Sequence, residues 1–106
     1  MSGMFYNCKS LTNIDLSNFN TENVTNMGHL FFGCESIKTL DLSNFNTHNI
    51  TNMSCMFGFC KSLVFLNISS FNTINTLCLK GLFYGANNLK KENLICEEYS
   101  IIKNYL

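Results

Sequence analysis

An excess of charge of either sign is missing from this 106-residue chain, in which seven acids balance seven lysines. Binding driven by phosphate neutralisation needs surplus Lys and Arg, so neither a nucleic-acid binder nor a membrane-surface binder is expected. Long apolar runs are missing as well. No stretch approaches the roughly 20 apolar residues of a transmembrane helix, so membrane insertion is not expected. Met1 to Lys9 carry no basic n-region and no apolar h-region, so no signal peptide or lipobox is visible. Arginine, glutamine, tryptophan and proline are absent, which leaves lysine as the only fixed cation. No GxxxxGKS, GxGxxG or HExxH occurs, which removes the phosphate loop, the dinucleotide fingerprint and the zinc-protease helix. The length allows one domain or one run of repeats.

Cysteine is abundant, with six residues, yet no CxxC or CxH pair occurs. Cys8, Cys34 and Cys60 lie 26 residues apart. Evenly spaced cysteines in an apolar register read first as small buried hydrophobes, reduced and stacked. Disulfides and a metal site are the alternatives. Cys55, Cys78 and Cys96 fall outside that register.

The 26-residue period extends to the whole chain. Residues 1–26, 27–52 and 53–78 align without a gap, and 79–94 begin a fourth, partial copy. Asp-Leu-Ser-Asn-Phe-Asn-Thr stands at 15–21 and at 41–47, and Asn-Ile-Ser-Ser-Phe-Asn-Thr at 67–73. A fixed period of this length marks a solenoid, because one unit cannot bury its apolar face alone. Each unit holds two patterns. Met1, Met4, Phe5 and Cys8 have the i, i+3, i+4, i+7 spacing of a helical face. The set recurs as Met27, Leu30, Phe31, Cys34, then Met53, Met56, Phe57, Cys60, then Leu79, Leu82, Phe83, Ala86. Asn26 and Asn52 precede two of these runs, at the position of an N-cap.

The second pattern is LxxLxL: Leu11, Ile14, Leu16; then Ile37, Leu40, Leu42; then Leu63, Leu66, Ile68. This is the leucine-rich-repeat core, with one short strand per coil. Parallel strands are predicted near 12–16, 38–42 and 64–68. Phe19, Phe45 and Phe71 form a predicted aromatic column. Asn20, Asn46 and Asn72 are expected to serve the backbone of the next coil. The fold class is therefore an α/β repeat solenoid with one parallel strand and one short helical segment per coil.

The sequence MFYNCKSLTNIDLSNFNTENVTNM at 4–27 resembles the 26-residue repeat of the BspA-type leucine-rich-repeat group of bacterial surface proteins. The resemblance covers 1–78 closely and 79–94 loosely, where Glu92 replaces an apolar residue. It implies a non-catalytic recognition surface, often on cell-surface proteins or lipoproteins, with a protein or cell-surface ligand. A fragment of a longer array with a structural role is the alternative.

No enzyme is expected, and no cofactor or metal. His29 and His48 occupy unrelated repeat positions, and catalysis needs an oriented partner. The threonines at 21, 47 and 73 raise ice binding as a third class, weakened because the Thr25, Thr51 column continues as Leu77. The residue between the last two core positions of each strand should point outward. Candidate binding residues are accordingly Asn13, Asp15, Thr39, Asp41, Phe65 and Asn67, with Phe65 as the apolar anchor.

At the C-terminus the motif fades after Leu94. Ile95, Tyr99, Ile102 and Leu106 then follow at helical spacing, with Glu97 and Glu98 early and Lys103 late. A helix over about 92–105 is expected to cover the last coil, so that 1–94 is the solenoid and 95–106 its capping helix. Coil 1 shows no capping drift, and its strand would be an unpaired edge. It implies marginal stability, self-association through the N-terminal edge, or an upstream segment, the last being favoured.

Overall fold

The computed structural model describes residues 1–98 and 102–106. Three short strands form one parallel sheet in the order β1 (Thr39–Asp41), β2 (Phe65–Asn67), β3 (Leu94–Ile95). Thr39, Leu40 and Asp41 face Phe65, Leu66 and Asn67, a register of 26 residues. Like therefore lies beside like, and the core becomes a set of columns. Leu40, Leu42, Leu66, Ile68 and Leu94 are buried beneath the strands. Phe5, Phe31, Phe57 and Phe83 stack in one file with centroids 5.5, 6.0 and 5.7 Å apart. Phe19 stacks on Phe45 at 6.5 Å, and Phe71 is buried in the next coil.

The segments with helical spacing are not helices. They are successive hydrogen-bonded turns in which Met4 N–H donates to Met1 C=O and Cys8 N–H to Phe5 C=O, with the same three-residue bonds in later coils. The backbone gives the reason. Two positions in every coil are left-handed: Gly3, His29, Cys55 and Gly81, then Asn7, Gly33, Phe59 and Gly85. A left-handed residue ends helical propagation. The alternate N–H groups leave the coil: Gly3, Phe5 and Asn7 donate to Gly28, Leu30 and Phe32 at 3.0, 3.0 and 2.7 Å. The i, i+3, i+4, i+7 spacing still places Met, Phe and Cys inward, because these turns rotate the chain nearly as a helix does. Asn26 and Asn52 act as caps nonetheless, accepting at 2.8 Å from Gly28 N–H and Ser54 N–H.

The asparagine columns differ from expectation. Asn20, Asn46 and Asn72 accept from their own turns, at Glu22, His48 and Ile74 N–H. The neighbouring coil is held by threonine. Thr47 Oγ1 donates to Asn72 C=O and accepts from Asn72 N–H, and Thr21 does the same with Asn46. Other asparagines reach the preceding coil: Asn44 to Leu16 C=O, Asn49 to Glu22 C=O, Asn75 to His48 C=O.

Residues 12–16 are not a strand. Among the described residues no backbone hydrogen bond joins them to β1; Asn44 Nδ2 bridges to the Leu16 and Ser17 carbonyls instead. In coil 1, Met1, Phe5, Cys8, Leu11, Ile14, Phe19 and Val24 are only partly buried and pack against the core from one side.

The start of the helix expected over 92–105 is corrected, because Leu94–Ile95 is a strand. Of the capping helix expected at 95–106, residues 99–101 lie outside the described residues, while Ile102 is helical and its N–H donates to Glu98 C=O at 3.0 Å. Leu94 pairs with Leu66 and Ile95 with Asn67, a register of 28 residues, so the repeat continues past Leu94. Two extra residues lie between Leu89 and Leu94, and a 3₁₀ turn at Lys91–Asn93 absorbs them. Leu94 takes the buried position that Glu92 would hold by simple counting, and Glu92 is exposed. Ile95, predicted inward, is 45% exposed because it follows the outward parity of Asn67. A second 3₁₀ turn spans Lys103–Tyr105, with Ile102 buried before it. Tyr99 of the predicted stripe lies outside the described residues.

Candidate functional site

A depression of about 350 Å³ opens between the first coil and β1. Asn13, Asp15, Thr39 and Asp41 line it, with Ile14, Leu16, Ser17, Ser43 and Asn44. The backbone explains its position. Lys38 C=O accepts from Val64 N–H, and Leu42 N–H donates to Asn67 C=O, so those groups turn toward β2. Amide direction alternates along a strand, so Thr39 and Asp41 turn theirs toward residues 12–16, which do not close on them. The gap combines strand polar groups with two carboxylates.

Both carboxylates are organised locally. Ser17 N–H and hydroxyl donate to Asp15 Oδ1 at 3.0 and 2.6 Å, and Ser43 N–H donates to Asp41 Oδ1 at 3.0 Å. The Ser17 hydroxyl and amide hold the Asp15 carboxyl below its ordinary range, and Ser43 does so for Asp41. Each is ionised at neutral pH. Asn67 Oδ1 makes the same cap to Ser69 N–H at 3.0 Å, which is why the column reads Asp, Asp, Asn. Phe65 and Asn67 sit half-buried on β2, one coil beyond the depression. The six candidate residues thus divide into four that line one depression and two on the adjoining strand.

The other chemically able side chains are dispersed. His29 packs its ring 5.5 Å from Phe32 and 6.3 Å from Tyr6, and His48 is exposed in another part of its coil. Cys34 and Cys60 are buried and Cys8 half-buried, all six cysteines being free. The Cys34 thiol donates to Phe5 C=O and the Cys60 thiol to Phe31 C=O. Burial pushes Cys34 up to about 11 and Cys60 up to about 12, with the neighbouring thiol of the column adding to each. Such thiols are poor nucleophiles. Among the described residues no group of three or more His, Cys, Asp or Glu could hold a metal ion, and no helix is long and apolar enough to cross a membrane.

Sequence reasoning missed an aromatic row outside the core. Tyr6 stacks on Phe32 at 5.1 Å, Phe32 meets Phe59 edge-on at 5.4 Å, and Phe59 meets Tyr84 edge-on at 5.3 Å. In the third coil the aromatic has exchanged places with a glycine: Phe32 lies over Gly58 and Phe59 over Gly85. The signal was present in the alignment of coils, where Tyr6, Phe32 and Tyr84 share a position that Gly58 breaks. A second depression, about 620 Å³, lies at the end of this row beside Ser54, Cys55, Cys78, Lys80, Gly81 and Tyr84.

Comparison with curated proteins and with solved structures returns no match. A family model matches residues 1–99, a span that takes in the β3 coil. The chain belongs to the family described as "Mycoplasma protein of unknown function, DUF285".

Proposed function

We propose that this chain is a leucine-rich-repeat solenoid of the BspA type and a non-catalytic recognition module. Its strand-side face binds a protein or cell-surface ligand that presents a cationic group on an extended segment. The observation that carries this reading is the depression between coil 1 and β1, lined by Asn13, Asp15, Thr39 and Asp41. Two ionised carboxylates share its wall, and the only ion pair among the described residues, Lys61 to Glu35 at 3.4 Å, lies elsewhere. A ligand lysine or arginine supplies the missing counter-charge, and its backbone can meet the amide groups of Thr39 and Asp41 as an added strand does. Phe65, half-buried on β2, offers an apolar anchor beside them.

The test is a binding screen of the intact chain against fluorescent extended peptides that carry one Lys or Arg, with Glu-substituted peptides as controls. Cationic peptides bind, salt weakens the binding, and the Phe65→Ala, Asp41→Ala double variant loses at least tenfold in affinity. Unchanged binding in that double variant would remove the idea.

A further inference from the structure

We infer that Asn44 is the strut that holds the strand-side depression open, and that it thereby sets which join between coils accepts a ligand strand. The inference deepens the recognition proposed above and rests on that reading for the ligand alone. The depression is a place where strand pairing is missing. Between β1 and β2, Val64 N–H donates to Lys38 C=O at 2.8 Å and Leu42 N–H to Asn67 C=O at 2.9 Å. Between β2 and β3, Ile68 N–H donates to Ile95 C=O at 2.8 Å. One coil earlier the corresponding bonds would run from Lys38 N–H to Thr12 C=O and from Leu16 N–H to Asp41 C=O. Neither forms, and the Lys38 and Leu16 N–H groups find no acceptor among the described residues.

The motif of the unpaired segment does not explain the difference, because Asp-Leu-Ser-Asn-Phe stands at 15–19 as it does at 41–45. The side chain that spans the join does. Asn44 Nδ2 donates to Leu16 C=O at 3.0 Å and to Ser17 C=O at 3.3 Å. Ser70, the equivalent residue one coil on, spans the next join, and its hydroxyl donates to Leu42 C=O at 3.1 Å. Both hold the same carbonyl of the coil before them, but asparagine carries its donor one bond farther from its own backbone. A carbon–carbon bond adds about 1.5 Å. Added to a ladder bond of 2.9 Å, that length passes the roughly 3.2 Å at which an N–H···O bond is still well formed. The serine-spanned join therefore closes into a sheet, and the asparagine-spanned join stays open.

Asn44 itself lines the opening with Asp15 and Asp41. It acts as a positioning residue, through the width of the gap. An open gap leaves the backbone groups of Thr39 and Asp41 for an extended ligand segment to pair with. Closure would bring residues 12–16 to those same groups, so zipping and ligand binding compete for them.

The test exchanges the two spanning side chains in the intact chain, with amide-resolved hydrogen exchange as the reading of each join. In the unmodified chain Leu16 and Lys38 should exchange at least tenfold faster than Leu42 and Val64. In Asn44→Ser they slow by at least tenfold, and in Ser70→Asn the Leu42 and Val64 amides speed up by a similar factor. Asn44→Ser also raises the urea midpoint, because ladder bonds are gained, while affinity for the Lys-bearing fluorescent peptide falls at least tenfold. A residue with a merely structural role would lose stability and binding together. Leu16 and Lys38 amides as fast in Asn44→Ser as before overturn the inference, as do Leu42 and Val64 amides that stay protected in Ser70→Asn. So does a closed first join that binds the peptide undiminished. An unmodified chain that binds no cationic peptide removes the recognition reading instead, and the exchange rates then decide by themselves whether Asn44 holds the join open.

Discussion

The threonine latch offers the clearest measure of what joins the coils. Thr47 is 1% exposed, and its hydroxyl both donates to Asn72 C=O at 3.1 Å and accepts from Asn72 N–H at 2.8 Å. Thr47→Val keeps the shape and removes both bonds at once. A buried group left without its partner costs about 1–3 kcal/mol, and here two backbone groups lose theirs. Asn72 is half-buried, so water can reach part of the site. The net cost should be about 2 kcal/mol, a large share of the roughly 5–15 kcal/mol expected for a domain of this size.

Urea unfolding followed by circular dichroism reads this directly, with a fall of about 10 °C in Tm as the thermal counterpart. Thr47→Ser keeps the hydroxyl and gives up one buried methyl, a loss of about 1 kcal/mol. The order of stability is therefore Thr, then Ser, then Val. Thr21→Val, with the same pair of bonds to Asn46, should fall by a similar amount. Thr25→Val, at an exposed hydroxyl, should change by less than about 0.5 kcal/mol. A Thr47→Val protein as stable as Thr47→Ser would refute the latch.

Two further perturbations address the turns and the thiol column. Gly85 has φ +77, and a Cβ there would lie 2.5 Å from a Phe59 ring carbon, so Gly85→Ala should cost about 3 kcal/mol; a loss under about 1 kcal/mol would mean that the ring moves freely. Cys34 and Cys60 are raised from 9.0 to about 11 and about 12, so the folded state holds their protons more tightly than the unfolded state does. Their contribution is complete below pH 9 and is lost as pH rises toward 11 and 12. The urea midpoint should be level below that window and decline within it, less steeply in Cys60→Ala, and an equal slope in the two proteins would contradict the assignment.

The columns of the core were legible because side chains repeat at a constant period whatever the backbone does between them. Leu40 over Leu66, and the file from Phe5 to Phe83, follow from spacing alone. The backbone was not legible in the same way. The spacing of Met27, Leu30, Phe31 and Cys34 suits a helix and a run of tight turns equally. The deciding feature, a left-handed residue at two positions per coil, was masked by His29, Cys55 and Phe59, where glycine or asparagine would have announced it. At the C-terminus two inserted residues shifted the register, so Leu94 looked like the end of the repeat when it was its next core residue. The candidate site was half legible. Outward parity on the strands named four residues of the depression, whereas the failure of 12–16 to pair with β1, which makes the depression, has no signature in a motif that matches the next coil so closely.

Asp15 and Asp41 bear two explanations, and the geometry separates them. A carboxylate that caps its own turn is a sufficient reason for a DxS motif, with no ligand needed. Yet the Ser17 and Ser43 bonds all fall on Oδ1, and an ionised carboxylate has about four acceptor sites, so Oδ2 of each depression-lining Asp has acceptor capacity that no bond among the described residues uses. Asn67 shows that an amide oxygen makes the cap equally well, at the same 3.0 Å to Ser69 N–H. Asp15→Asn and Asp41→Asn therefore keep the cap while they remove the charge. The combined variant should unfold at an unchanged urea midpoint at pH 7 and lose at least tenfold in affinity for the cationic peptides, with the salt dependence of binding reduced as counter-charge is lost. Loss of stability with binding intact would make both residues turn caps alone, and would leave the depression without a reason to be acidic.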